Sequence, residues 1–395
     1  MRIFFILKNL YPYGKASTAR VRSYAKGFTD NGITCNVIIP ISMESYKEKA
    51  INTQSQGYYE NTFYKYMSGS PKRSKNILVR QISDLFGYIK TLLYIKKNIT
   101  KEDIVIIYEG GILWQKLCIK ATHLTGAKAI MELNELPYGT GEETNRNQQL
   151  RNKTLQEVFP KYDGFLAISE TLADLAKRYN KKALTIKVPI LINNNRTTTP
   201  TLQNNKVDFI FHSGTLTEQK DGILGMIEAF GIAIKKIKTP LNFYLTGSIE
   251  KSPVATQIQE LIYKYELKNK IFFTGYLNEE ELRRYQEGCS LVIINKYNTQ
   301  QNRYCFSTKL GEYLALKKPV IITNIGEAMN YLNETNAYIV EPGDPQLIAN
   351  NIISIINNKE KSKRIAENAY QLTLKEFNST YQTKRIISYF TKSLL

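Results

Sequence analysis

The stretch that decides the fold is Phe211-His212-Ser213-Gly214-Thr215-Leu216-Thr217-Glu218-Gln219-Lys220-Asp221-Gly222-Ile223. An apolar, β-rich run stops at a glycine. A polar turn follows, and Lys220 stands at the mouth of an apolar helix through Met226, Ile227 and Phe230. Strand, glycine turn and helix in this order are the opening of a βαβ unit, where ligands bind beyond the carboxyl end of the strand and glycine lets backbone approach them. A lysine and free helix amides at that point supply positive charge for an anion such as a diphosphate.

The same rhythm extends in both directions. Apolar runs at Arg2–Leu7, Cys35–Ile39, Ile104–Tyr108, Ala129–Leu133 and Phe165–Ile168 precede it or alternate with helical patterns. Further runs stand at Phe209–His212, Phe243–Leu245, Ile271–Thr274, Leu291–Ile294, Val320–Ile322 and Tyr338–Val340. They are apolar throughout, as strands covered by helices on both faces must be, so the expected class is α/β with parallel sheets. Several end in small polar pairs, namely Ser213-Gly214, Thr246-Gly247, Thr274-Gly275 and Thr323-Asn324, and together these predict a nucleotide-sized cleft.

A second segment, Phe306-Ser307-Thr308-Lys309-Leu310-Gly311-Glu312-Tyr313, leads into a helix and then the strand at Val320. Ser307 or Thr308 suits the N-cap. Lys309 and the first amides would form an anion site, and Glu312, one turn on, could accept from vicinal hydroxyls such as those of a ribose.

Length and composition set the frame. A chain of 395 residues suits two domains. The polar stretch Ile192-Asn193-Asn194-Asn195-Arg196-Thr197-Thr198-Thr199-Pro200 reads as a linker between them. Cys35, Cys118, Cys289 and Cys305 are far apart and only two histidines are present, which argues against a disulfide framework or a Cys/His zinc site. The apolar run after Met1 is too short for a signal peptide and is expected to be a buried first strand. No stretch reaches the ~18 apolar residues of a membrane span, so a cytoplasmic location is expected. The formal charge of +19 points to an anionic partner, and it is uneven: residues 1–195 carry 29 basic against 16 acidic side chains, residues 196–395 carry 25 against 19. A nucleic-acid partner is not expected, because no RNP-like aromatic motif, zinc finger or dense basic helix accompanies the charge.

Six motifs in order make the second half resemble the donor domain of retaining, GT-B-fold, family 4 glycosyltransferases (glycosyl transferases group 1). They are Gly214 to Gly222, Tyr244-Leu245-Thr246-Gly247, Ile271-Phe272-Phe273-Thr274-Gly275, Cys289–Ile294, Glu312–Ile321 and Pro342-Gly343-Asp344. In the first half, Tyr11–Arg20 resembles the family's glycine loop after strand one, and Tyr162–Ser169 and Val188-Pro189-Ile190 resemble later elements. The resemblance implies two Rossmann-like domains facing each other across a cleft. It assigns 1–192 to acceptor binding, 193–206 to the linker, 207–372 to the nucleotide sugar, and 373–395 to a terminal helix crossing back to the first domain. Ile386, Ile387, Phe390 and Leu394 line one side of that helix.

The resemblance also implies the activity: transfer of a sugar from a UDP- or GDP-sugar to a hydroxyl, with no cofactor and no metal. Lys220, Asn134 and Glu135 are the catalytic candidates. Donor contacts are expected from Gly14, Gly214, Thr215, Lys220, Gly247, Gly275, Tyr276, Tyr304, Ser307, Thr308, Lys309 and Glu312. Three positions depart from the family pattern. Tyr304 stands where the first Glu of Glu-x7-Glu is usual, Thr215 replaces a common Arg, and Asn134 replaces an active-site His. These departures keep open the alternative of a catalytically inactive nucleotide-sugar-binding scaffold.

One segment lies outside these motifs. Pro71-Lys72-Arg73-Ser74-Lys75 leads into a helix expected from Ile77 to Lys97, with Leu78, Ile82, Leu85, Phe86, Ile89, Leu92 and Leu93 at helical spacing and Arg80, Lys90, Lys96 and Lys97 among them. Two readings fit: a core-facing amphipathic helix with a solvated basic face, or an element that docks on anionic lipid. The second would bring the acceptor site over a lipid-linked saccharide or oligosaccharide at the cytoplasmic face of a bacterial inner membrane, as in surface polysaccharide synthesis.

Overall fold

The computed structural model describes all residues except 48, 109, 140–142, 194–206 and 395. The expected linker therefore lies outside the described residues apart from Asn193. The chain divides into two compact units. The first comprises Met1–Asn193, Tyr304–Phe306 and Phe377–Leu395, and the second Asn194–Arg303 and Ser307–Glu376.

The first unit carries β1 (Ile3–Leu7), α1 (Ala16–Asp30), β2 (Cys35–Ile39), β3 (Gln56–Tyr59), β4 (Thr62–Tyr66), α2 (Ile77–Asn98), β5 (Ile104–Tyr108), α3 (Ile112–His123), β6 (Lys128–Leu133), α4 (Asn145–Glu157), β7 (Gly164–Ala167), α5 (Glu170–Tyr179) and β8 (Leu184–Lys187). Its sheet runs β3-β4-β2-β1-β5-β6-β7-β8 and is parallel except for the β3–β4 hairpin. The strands expected from apolar runs are present, and β3, β4 and β8 are additional. Those three lack a continuous apolar run: Gln-Gly-Tyr-Tyr and Thr-Phe-Tyr-Lys-Tyr alternate more and less buried residues, as strands with one wetter face do.

The second unit carries β9 (Asp208–His212), α6 (Glu218–Asp221), α7 (Ile223–Ile234), β10 (Leu241–Leu245), α8 (Ala255–Lys264), β11 (Ile271–Phe273), α9 (Glu279–Gly288), β12 (Leu291–Ile294), α10 (Gln300–Tyr304), α11 (Thr308–Ala315), β13 (Val320–Thr323), β14 (Tyr338–Val340), α12 (Pro345–Asn357) and α13 (Lys359–Glu376). All its strand pairs are parallel, in the order β11-β10-β9-β12-β13-β14. That is the doubly wound 3-2-1-4-5-6 order, and its direction reverses between β9 and β12. The core packs Ile210, Phe243, Leu245, Ile293 and Ile321 from the sheet against Met226, Phe230 and Ile352 from α7 and α12.

The terminal segment differs from the expected 373–395 helix. Residues up to Glu376 finish α13, Asn378 caps a new helix through Tyr381 N, and α14 runs Ser379–Ser393. Two backbone bonds, Ile192 N to Phe377 O (2.7 Å) and Ser379 N to Ile192 O (3.1 Å), seat this turn on the first unit. Ile386 and Phe390 of α14 are buried in that unit's core with Tyr24 and Phe28, while Ile387 and Leu394 pack at its margin. Burial of the two inner side chains contributes about 1.5–3 kcal/mol each.

α2 overturns the core-facing reading of its apolar stripe. The side turned inward is Gly87, Thr91 and Ile95. Leu78, Ile82, Leu85, Phe86, Ile89 and Leu93 are instead 45–68% exposed. Gly87 explains the orientation, since a Cβ there would fall 2.0 Å from the Pro40 carbonyl oxygen. Only a residue without a side chain lets the helix approach so closely, and that approach fixes which face is outside.

Candidate functional site

The reversal of strand order in the second unit brings the ends of β9 and β12 together, and the clearest polar cluster of that unit sits there. After β9 the backbone passes through Ser213 and Gly214. Ser213 is held by the Tyr313 hydroxyl (Oγ to OH, 2.8 Å), and Gly214 N donates to Thr246 Oγ1 (2.8 Å), whose hydroxyl donates back to Gly214 O (3.0 Å). A Cβ on Gly214 would lie 2.5 Å from Lys309 Nζ and 2.7 Å from His212 Nε2, so the glycine is what allows these groups to crowd the strand end.

Gly222, the glycine of Lys-Asp-Gly, has φ +59° and ends α6. Asn295, the residue after β12, donates from Nδ2 to Gly222 O (2.8 Å), and its amide would clash with any Cβ there. The turn is thus tied across the switch point. A left-handed φ and a close polar neighbour together require glycine.

Asp221 organises the charge. Its Oδ2 accepts from Thr215 N (3.1 Å) and Thr215 Oγ1 (2.6 Å), and its Oδ1 accepts from Lys309 Nζ (3.1 Å). Burial alone would raise its pKa, but Lys309 and His212, with the Thr215 bond, more than offset this and hold the carboxyl at about 2. His212 is buried, and its Nε2 has no hydrogen-bond partner among the described residues. Burial and the nearby Lys309 push its pKa down to about 4, against the opposing pull of Asp221, so the ring is neutral at pH 7.

The expected donor residues of this unit distribute as follows. Ser307 takes the N-cap position of α11, yet its side chain makes no capping bond, contrary to expectation. Its backbone there is extended, and the first amides of the helix have no side-chain cap from it. Lys309 joins Gly214, Thr215 and Asp221 in one cluster. Glu312, on the same helix, accepts from Gln286 Nε2 (3.0 Å). Gly247 and Gly275 bridge one another through N–H to O bonds of 2.8 and 3.2 Å, and Tyr276 beyond them is exposed. Lys220 is exposed in the short α6, not at the start of the long helix, which begins after Gly222.

Sequence reading missed Asp221, His212 and Asn295 as members of the cluster, while Thr246 stands in it as one of the strand-end residues expected at the cleft. Asp221 was visible in the Lys-Asp-Gly motif; His212 and Asn295 carry no local signal. Among the described residues, no three His, Cys, Asp or Glu side chains form a group that could hold a metal ion.

The remaining candidates belong to the first unit. Gly14 lies in the loop between β1 and α1. There Thr18 donates to Leu10 O (2.7 Å), and Asn52 holds Tyr13 by bonds to both its N–H and its carbonyl (3.0 Å each). A Cβ on Gly14 would fall 2.2 Å from Thr18 Oγ1. Asn134 follows β6 and donates to the Tyr108 hydroxyl (2.6 Å), and Glu135 beside it is half-buried. Beneath them a buried ion pair joins Arg20 Nε to Glu132 Oε1 (2.5 Å), with Arg20 also donating to Pro189 O and Val188 O. Tyr304, the last residue of α10, groups with this unit and not with the rest of its helix, its carbonyl accepting from Ser169 Oγ (2.7 Å).

Two α/β units of this construction define the GT-B fold. The crystal structure of Anabaena HepE in complex with UDP and glucose has the same fold, with a TM-score of 0.70 at 15% identity over 99% of this chain and 100% of that one. Residues 194–372 match the family model for Glycosyl transferases group 1. An uncharacterized glycosyltransferase of Methanocaldococcus jannaschii is 24% identical over 161 residues, 40% of this chain and 38% of its own length. Another from Bacillus subtilis is 23% identical over 203 residues, 51% of this chain and 53% of its own. The match thus spans about half or less of these two relatives.

Proposed function

We propose that the protein is a glycosyltransferase that moves a sugar from a nucleoside-diphosphate sugar to a hydroxyl, with retention of anomeric configuration. The observation that carries this reading is the cluster at the β9–β12 switch point, where Gly214, Lys309 and the uncapped start of α11 converge. In the reaction, negative charge develops on the β-phosphate as the glycosidic bond breaks. Lys309, Lys220 and the amides near Ser307–Lys309 would stabilise it, and preorganised donors of this kind are usually the largest catalytic term. Glu312 would accept from the ribose hydroxyls and the exposed Tyr276 ring would flank the base. Gly14 would join the donors around the diphosphate, and Asn134, Glu135 and Tyr304 would act on the transferred sugar and acceptor. UDP is the first nucleotide to try, since the HepE structure contains it.

Because fixed cations take the place of a divalent ion in this reading, activity should survive EDTA; loss in chelator with rescue by magnesium or manganese would contradict it. The acceptor we propose is a lipid-linked saccharide of bacterial surface polysaccharide synthesis, met at an anionic membrane surface on its cytoplasmic side.

A thermal-shift series with UDP, GDP and their sugars tests the donor site. A ligand at ~100 times its Kd adds about 2.7 kcal/mol of stability. Turnover of a radiolabelled donor then separates an enzyme from an inactive scaffold, the reading that Tyr304, Thr215 and Asn134 favour. Donor binding without any transfer or hydrolysis would select the scaffold.

A further inference from the structure

The outward face of α2 is an apolar surface that nothing in the described structure covers. Leu78, Ile82, Leu85, Ile89 and Leu93 follow one another at intervals of three or four residues, with Phe86 beside Leu85 and three residues before Ile89, so they form one stripe along the helix. At 1.5 Å per residue this stripe is about 22 Å long. Soluble proteins rarely leave a contiguous apolar surface of this kind in water. The inner face cannot be exchanged for it, because Gly87 is seated against the Pro40 carbonyl.

The charge around the stripe has one sign. Exposed Lys72 and Lys75 stand before the helix, exposed Lys96 and Lys97 close it, and exposed Lys90 lies between. Asp84 is the helix's one acidic residue, and its Oδ1 is buried. Lysines at both ends disfavour pairing of the stripe with a second copy of itself, since either orientation of two such helices sets lysine against lysine. An anionic bilayer instead offers hydrocarbon to the stripe and phosphate to its rim.

We propose that α2 lies in the plane of an anionic membrane with its Leu78–Leu93 face inserted at the headgroup–acyl boundary and its flanking lysines on lipid phosphates. This deepens the membrane reading above and rests on it for the choice of partner. It adds that attachment is by apolar insertion, not by charge alone. Among the described residues no helix is long and apolar enough to cross a membrane, so α2 would lie on the bilayer, not through it.

The test uses the full chain without donor or acceptor, so that its failure is separable from failure of the transferase reading. Vesicles of phosphatidylglycerol and phosphatidylcholine in equal parts are compared with pure phosphatidylcholine. We expect binding to the anionic vesicles that weakens with salt, by about fivefold for each lysine removed and on the order of 100-fold for Lys75→Ser, Lys96→Ser and Lys97→Ser together. Phe86→Asp with Leu93→Asp should lose at least as much while circular dichroism and the melting temperature stay unchanged, both side chains being exposed.

Phe86→Trp reports insertion directly. The natural Trp114 is buried, so the new indole dominates the response, and it should shift blue and be quenched by brominated acyl chains. Equal binding by the aspartate variant, or no quenching of the bound tryptophan variant, would overturn the proposal. So would failure to bind vesicles alongside a dimer in light scattering that the aspartate variant dissolves.

Discussion

Lys309 and Thr215 share one carboxylate, and this bears on the missing arginine of the family pattern. Thr215, which the resemblance sets at a common arginine position, binds Asp221 Oδ2, while Lys309 approaches Oδ1 of the same carboxyl from α11. We propose that Lys309, reaching in from the facing helix, supplies the cation that an arginine at 215 would otherwise supply. Lys309→Ala should lower turnover by about 100-fold, the scale of removing one charge-stabilising group. Adding Thr215→Arg should restore at least about a tenth of wild-type activity; a double variant as poor as Lys309→Ala alone would show that Lys309 does not stand in for the arginine. Lys220→Ala and Glu312→Ala should each cost at least about 100-fold with the fold intact, read from kinetics beside the melting curve.

His212 adds a pH dependence to the same cluster. In the unfolded chain its ring takes a proton near pH 6.5, and in the folded one only near 4. Between those values the unfolded state binds more protons, so stability falls as pH drops from 6.5 to 4 and is fully present above. The span corresponds to about 3 kcal/mol. Urea unfolding across pH 4–7 measures it, and His212→Gln should flatten the slope within that window.

At the level of elements, two glycines fix how helices are seated. Gly87 holds α2 against the segment after β2, and Gly27 lets α1 meet α14, where a Cβ would come 2.6 Å from the Ser379 carbonyl. Backbone cannot yield as a flexible side-chain tip does, so Gly87→Ala should destabilise by about 1–3 kcal/mol through overpacking. Ala is the better helix former by up to about 1 kcal/mol, so a stabilised variant would mean that the close approach to Pro40 does not exist. The second unit's strands were legible to within a residue or two because each holds an apolar run between helices; β10 begins two residues before its expected start because Asn242 interrupts the run. In the first unit β3 and β4 escaped notice, since they interleave polar and aromatic residues and their strand character comes from pairing with a neighbour.

Across the whole molecule, the chain's last helix completes the core of its first unit. Phe390 of α14 is buried there beside residues of α1. Phe390→Ala should therefore destabilise the first unit by about 3–5 kcal/mol. Limited proteolysis should show early cleavage within residues 1–193 and not within 207–376. Equal protection of the first unit in variant and wild type would count against this role.

The α/β class, the strand succession of the second unit, the glycine turn after β9 and the location of α2 were all readable from the order of residues, because these depend on periodicity and local backbone chemistry. Which groups meet is a matter of contacts between residues distant in the chain. The pairing of Lys309 with Asp221 spans 88 residues, and the Asn295 bond to the Gly222 carbonyl spans 73. Neither leaves a local trace. The same holds for α2: its spacing marks an apolar stripe, but a stripe does not say which side faces the sheet. That was decided by Gly87 against Pro40, a contact of two backbones that no hydrophobic pattern encodes.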